Sequence, residues 1–112
     1  FEGRHRHRAH GVISVIANVV PGLMRKLMDT DDPSLNECLQ PLMAWLFHVP
    51  SPNALNTLLA MTGATQPVFR LPYVPVNKAA REQGLALLSG LNKSDWVGNE
   101  LNLMDDRDFT LV

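Results

Sequence analysis

The stretch Gly11-Val12-Ile13-Ser14-Val15-Ile16-Ala17 decides how the rest of the chain is read. It is short, rich in β-branched residues and apolar on both faces, with no polar alternation. That is the pattern of a parallel strand buried on both sides. Such a strand needs neighbours on both edges to pair its amides and carbonyls. No other segment of the 112 residues reads as a convincing partner. The missing strands are therefore expected from residues outside this sequence or from another chain. The first residue, Phe1 rather than Met, agrees with a chain that opens partway through something larger.

Downstream, the pattern turns helical. Asn18 offers a cap and Pro21 a first-turn proline for a helix whose Leu23, Met24, Leu27 and Met28 form one stripe. Asp32-Pro33 opens a second helix, with Leu35, Leu39, Leu42 and Leu46 on one face and Pro41 placed to bend or split it. Pro50-Ser51-Pro52 interrupts the chain. A third helix follows, with Leu55, Leu58 and Leu59 inward and Gly63 as its stop. Pro67, Pro72 and Pro75 predict an extended, irregular course. Asn77 caps a fourth helix that packs through Ala80, Gly84, Leu87, Leu88 and Leu91. From Lys93 onward the sequence reads as a tail with sparse anchors: Trp96, Val97, Leu101, Leu103, Met104 and Phe109.

Composition bounds the function. With 46% hydrophobic residues, the chain can fold as one domain and is too short for two. Ten basic residues against eleven acidic ones give a formal net charge of −1, which lacks the overall pull of a general nucleic-acid binder. The apolar run Val12–Val20 is broken by Ser14 and Asn18 and falls short of the roughly 18 residues that a membrane span requires. Cys38 is the single cysteine, so no internal disulfide can form. Charge is uneven: Arg4, Arg6 and Arg8 crowd one end, while Asp95, Glu100, Asp105, Asp106 and Asp108 load the other.

Few residues carry chemistry of their own. His5, His7 and His10 lie close together, but three interleaved arginines would repel a cation and only Glu2 is at hand to complete a set; a solvated basic end is the plainer reading. A Schiff-base lysine needs a buried apolar setting to free its amine, and Lys26, Lys78 and Lys93 all read as ordinary surface lysines. Cys38 falls one position from the Leu35/Leu39/Leu42 face and reads as a small packed residue. His48 ends a helix, where it can meet the terminal carbonyls. Tyr73, between prolines, reads as a packing anchor, and Ser14 lacks the glycines of a nucleophile elbow.

Gly11-Val12-Ile13-Ser14-Val15, followed by Ala17-Asn18-Val19, resembles the eighth barrel strand of the dihydrodipicolinate synthase family, in the pyruvate-dependent class I aldolase superfamily. The resemblance continues through Pro21–Met28, Pro41–Phe47, Asn56-Thr57 and Pro67-Val68-Phe69-Arg70-Leu71-Pro72-Tyr73-Val74-Pro75. Those blocks, with Asp105-Asp106-Arg107-Asp108-Phe109, are more similar to the plant-type members than to the bacterial ones. Ile16 stands where the family commonly has Thr, and Val49–Asn53 departs from the family's loop.

The resemblance implies an α/β fold: the C-terminal fragment of a TIM (β/α)8 barrel, followed by a mainly α-helical extension. It divides the chain into an unmatched basic segment (1–10), the last barrel strand and helix (11–31), a helical extension (32–92) and an acidic tail (93–112). It implies a lyase of lysine biosynthesis that condenses pyruvate with aspartate semialdehyde through a lysine Schiff base. The plant-type blocks imply a chloroplast location and a homo-oligomeric parent, with no nucleic-acid or membrane partner. The family's Schiff-base lysine comes from earlier strands, so the resemblance assigns no catalytic residue, metal ligand or cofactor here, and the fragment alone is expected to be inactive. It assigns one substrate-binding residue, Ile13, through its backbone carbonyl facing pyruvate. The alternatives are a pyruvate lyase of the N-acetylneuraminate lyase type, and a non-enzymatic helical fragment.

Overall fold

The computed structural model describes residues 7–112. Four helices dominate: α1 (Pro21–Thr30), α2 (Pro33–Leu46), α3 (Asn53–Met61) and α4 (Lys78–Ser89). Two short strands, β1 (Val68–Phe69) and β2 (Thr110–Leu111), pair in parallel, Val68 opposite Thr110 and Phe69 opposite Leu111. Single 3-10 turns occur at Ile16–Asn18, Lys93–Asp95 and Asp106–Asp108.

The segment Gly11–Ala17 does not form the strand that its composition predicts. It runs irregularly to Val15 and then enters the 3-10 turn. A strand exists only as a member of a sheet. Among the described residues the only sheet is the β1–β2 pair, whose members bond to each other. Apolarity alone cannot replace a missing ladder.

Asn18 does not cap α1. It lies inside the 3-10 turn, and its side-chain amide donates to the Val15 carbonyl at 3.1 Å. The chain is already turning there, since the Val19 and Val20 amides both donate to Ile16 O. The cap position falls to Val20, which makes no side-chain bond, with Pro21 in the first helical turn. Met24 and Leu27 are buried and Leu23 and Met28 half-buried, which is the stripe that the spacing predicts.

The other helix starts follow the sequence. Asp32 accepts from Ser34 N at 2.9 Å, and Asn77 accepts from Ala80 N at 2.9 Å. Each satisfies an amide that the first helical turn leaves without an intrahelical partner. Pro41 does not split α2, which continues to Leu46. Gly63 closes α3 at φ +76°, with its amide on Ala60 O and the Ala64 amide on Leu59 O. That pair of bonds is the Schellman closure, which asks for a left-handed residue where glycine sits.

The main core gathers Val19, Val20 and Leu27 with Leu39, Leu42, Trp45 and Leu46 of α2, Leu58 of α3, Leu88 of α4 and Trp96. A second, smaller cluster joins Ala60, Phe69 and Phe109, with Met104 against it. The residues after Lys93 are thus fastened at two places: Trp96 and Phe109 are both buried. The pairing of β2 with β1 explains why the proline-rich segment is more regular than expected. Its prolines flank Val68 and Phe69, and the Thr110 amide donates to the free carbonyl of Pro67 at 2.8 Å.

Candidate functional site

Ile13 stands at the surface with its side chain fully exposed. The next residue fixes the turn behind it: Ser14 Oγ accepts from Ala17 N at 3.3 Å, while Val15 O accepts from Asn18 N at 3.1 Å. Buried Ile16 then pins the segment to the core. On one side of Ile13 opens a cleft of about 350 Å³. It is lined by Ile13 and Ser14, by Met24 of α1, by Gln40 and Met43 of α2, and by Phe47 just after α2. Its polar side chains are the Ser14 hydroxyl and the amides of Asn36 and Gln40, with Gln40 Nε2 donating to Asn36 Oδ1 at 3.1 Å. Among the described residues the lining carries no carboxylate, imidazole, amine or thiol, and its one hydroxyl is that of Ser14. The cleft can seat an apolar or neutral polar group beside the backbone of the Ile13 segment.

The three lysines are exposed. None sits in the apolar pocket that a Schiff-base amine needs. His7 and His10 are also exposed, and His5 and Glu2 lie outside the described residues. Among the described residues no three of His, Cys, Asp and Glu come together.

His48 behaves as its place at the end of α2 predicts. Its Nδ1 contacts the Trp45 carbonyl, and its ring lies 5.7 Å from the Trp45 ring. Cys38 is exposed rather than packed. It shares the outer face of α2 with Ser34, Glu37 and Pro41, one step too far round to join Leu39 and Leu42. Tyr73 is likewise exposed rather than an anchor. Its neighbourhood is fastened by backbone instead: Val74 N donates to Asn53 Oδ1 at 3.4 Å and Val76 N to Thr57 Oγ1 at 3.1 Å.

The residue that sequence reasoning missed is Arg81, which is 1% exposed. Its Nε donates to Met104 O at 2.9 Å, Nη1 to Val76 O at 2.6 Å and Nη2 to Asp106 Oδ1 at 2.6 Å. Its guanidinium carbon lies 5.4 Å from the centre of the Phe109 ring. A buried cation is tolerated when its donors are matched in this way. The hint in the sequence is slight: an arginine directly beside Ala80 on the packed side of α4, with its carboxylate partner 25 residues away. The group is a structural tie between α4 and the C-terminal residues.

No helix among the described residues is long and apolar enough to cross a membrane. The profile of the dihydrodipicolinate synthetase family matches residues 5–91. The chloroplastic 4-hydroxy-tetrahydrodipicolinate synthase of Nicotiana tabacum is 50% identical over 111 residues, 97% of this chain and 31% of that protein. The corresponding chloroplastic enzyme 1 of Arabidopsis thaliana is 46% identical over 113 residues, 99% of this chain and 31% of its own length. The synthase of the bacterium Maridesulfovibrio salexigens is 35% identical over 79 residues, 64% of this chain and 27% of its own length. The likeness is thus stronger to these two plant enzymes than to this bacterial one. The chain spans about three tenths of the length of the curated relatives it matches. A match that takes in Ile13, all four helices and β1 makes the chain a member of the dihydrodipicolinate synthetase family.

Proposed function

We propose that this chain is the C-terminal part of a plant-type 4-hydroxy-tetrahydrodipicolinate synthase, a lyase of lysine biosynthesis that works in the chloroplast as a homo-oligomer. In this reading Gly11–Ala17 is the last strand of a TIM barrel, α1 is the last barrel helix, and the remainder is a helical extension. Residues outside this chain supply the other strands and the lysine that forms the Schiff base with pyruvate. The enzyme joins pyruvate to aspartate semialdehyde. The present chain contributes the Ile13 carbonyl, which faces pyruvate, and the packing that holds it there.

The observation that carries this reading is the 50% identity that runs through nearly the whole chain. Two physical features support it. The Gly11–Ala17 segment has the composition of a strand buried on both faces, and its side chains at Val12 and Ile13 stand exposed with no sheet to cover them. The cleft beside Ile13, walled by Met24, Gln40, Met43 and Phe47, leaves room for a small molecule next to the Ile13 backbone.

A chimera tests it. These 112 residues replace the matching segment of the Nicotiana tabacum relative, and the product is assayed for condensation of pyruvate with aspartate semialdehyde. The chimera is expected to be active and to trap pyruvate under borohydride. The 112-residue chain alone is expected to give no stoichiometric adduct. A folded chimera without condensation activity overturns the proposal.

A further inference from the structure

The residues after Lys93 cross the ends of several elements in turn. The Val97 amide donates to Val19 O at 2.9 Å. The Asn99 and Glu100 amides reach Thr62 O at 3.1 and 3.3 Å, and the Asn102 amide reaches Met61 O at 3.0 Å. These bonds satisfy carbonyls at the C-terminal end of α3, which the helix itself leaves open. Farther on, Arg81 of α4 holds Met104 O and Asp106 Oδ1, and β2 pairs with β1. The Val112 amide donates to Phe69 O at 2.8 Å, and the Leu71 amide donates back to Val112 O at 2.9 Å.

We propose that residues 96–112 are a strap that opens and closes as one cooperative unit, with Arg81 as its latch, and that its closure steadies the turn behind Ile13. Three observations carry this. First, the distal half of the strap closes over its own small cluster of Ala60, Phe69 and Phe109, while its near half enters the main core through Trp96 and Leu101, so the two halves are joined by one chain segment and not by shared packing. Second, the latch is asymmetric. Arg81 is buried, while the Asp106 side chain is 87% exposed. Opening leaves Asp106 in water and lets water reach the guanidinium, which repays part of the broken ion pair and keeps release within reach. Third, the near end of the strap bonds to Val19, whose own amide closes the turn on Ile16. The state of the strap is thereby carried to the residues that follow Ile13.

The steadying role gains a functional meaning only under the catalytic reading above, but the test does not depend on that reading. Hydrogen exchange is measured residue by residue in the full chain, in the original sequence and in Asp106→Ala, a surface change that leaves the cores intact. The amides of Val97, Asn102, Thr110 and Val112 are expected to exchange roughly threefold to fivefold faster, together, and that of Val20 with them. Those of Leu42 and Trp45 in α2 are expected to be unchanged. Asp106→Asn retains an acceptor for Arg81 and should restore most of the protection. Faster exchange confined to residues 105–110 overturns the cooperative strap, and so does an equal rise in α2. No change at Val20 while the strap responds overturns its link to the turn. Exchange unchanged throughout residues 96–112 in Asp106→Ala overturns Arg81 as the latch.

Discussion

The indole of Trp45 lies directly on Gly84, so that a Cβ built there would meet Trp45 Cζ2 at 2.5 Å. The glycine is a packing requirement between α2 and α4, and the position of Trp45 is fixed from the other side by its Nε1 bond to Ala80 O at 2.9 Å. Helix propensity alone favours alanine over an interior glycine by about 1 kcal/mol. The clash reverses the sign. Gly84→Ala is expected to destabilise the chain by about 1–3 kcal/mol, the cost of overpacking. Gly22→Ala in α1 is the control, because nothing lies within 4 Å of its added Cβ. It should be neutral or stabilise by up to about 1 kcal/mol. Urea unfolding of both variants gives the comparison.

The two tryptophans should respond differently to loss of their indole nitrogen. Trp45 Nε1 has an acceptor, whereas buried Trp96 Nε1 has none among the described residues. An unpaired buried donor opposes folding, so its removal offsets part of the lost packing. Trp96→Phe is expected to cost at least about 1 kcal/mol less than Trp45→Phe. Thermal unfolding followed by circular dichroism ranks the two.

Arg81 is expected to tolerate neither common replacement. Arg81→Met keeps the bulk but leaves the Val76 and Met104 carbonyls without their guanidinium donors. The expected loss is about 2–4 kcal/mol, mostly from those two acceptors, since exposed Asp106 is rehydrated. Arg81→Lys keeps the charge but replaces a planar fork with a single nitrogen, which cannot span three acceptors. It should cost about 1–3 kcal/mol in chemical denaturation. Equal stability of Arg81→Lys and the original sequence would show that charge alone suffices.

Two of the three predicted helix caps, Asp32 and Asn77, were legible from residue type and spacing. Asp32 and Asn77 each stand one residue before their helix and bond as the rule requires. Asp32→Ala and Asn77→Ala should each cost about 1 kcal/mol, and the double variant about twice that, because the caps serve separate helices. Marked non-additivity in the double variant would mean that α2 and α4 are coupled through their starts.

What the sequence concealed has a common physical origin. Local patterns report local bonds: the Asp32 and Asn77 caps, the helical stripes and the Gly63 closure were readable over a few residues, whereas Asn18 was drawn into the 3-10 turn before its helix. Arg81 and Asp106 meet across 25 positions, and β1 meets β2 across more than forty, so neither pairing has a periodic signature. Cys38 and Tyr73 erred in the other direction, for a residue beside an apolar face is not thereby on it. Gly11–Ala17 has the composition of a buried strand, yet composition supplies no hydrogen-bonding neighbour. At the candidate site only Ile13 was assigned, by resemblance, and the cleft beside it arises from residues of α1 and α2 that composition could not bring together.

Ile13 gives the sharpest contrast between the chain and the enzyme proposed for it. Its side chain is fully exposed here, so Ile13→Val should change the stability of the 112-residue chain by less than about 0.5 kcal/mol. In the barrel chimera the same side chain would be packed, and loss of one methylene should cost about 0.5–1.5 kcal/mol. Catalysis there should change little, because the contact proposed with pyruvate is made by the backbone carbonyl. Ile13→Pro removes the amide and disturbs the carbonyl's placement, which a central strand does not tolerate. Its kcat/KM for pyruvate should fall far below that of Ile13→Val at a temperature where both chimeras are folded. If the valine variant loses as much activity as the proline variant, the side chain rather than the carbonyl makes the site. If Ile13→Val costs the chimera no stability, Gly11–Ala17 is not the buried strand of a barrel.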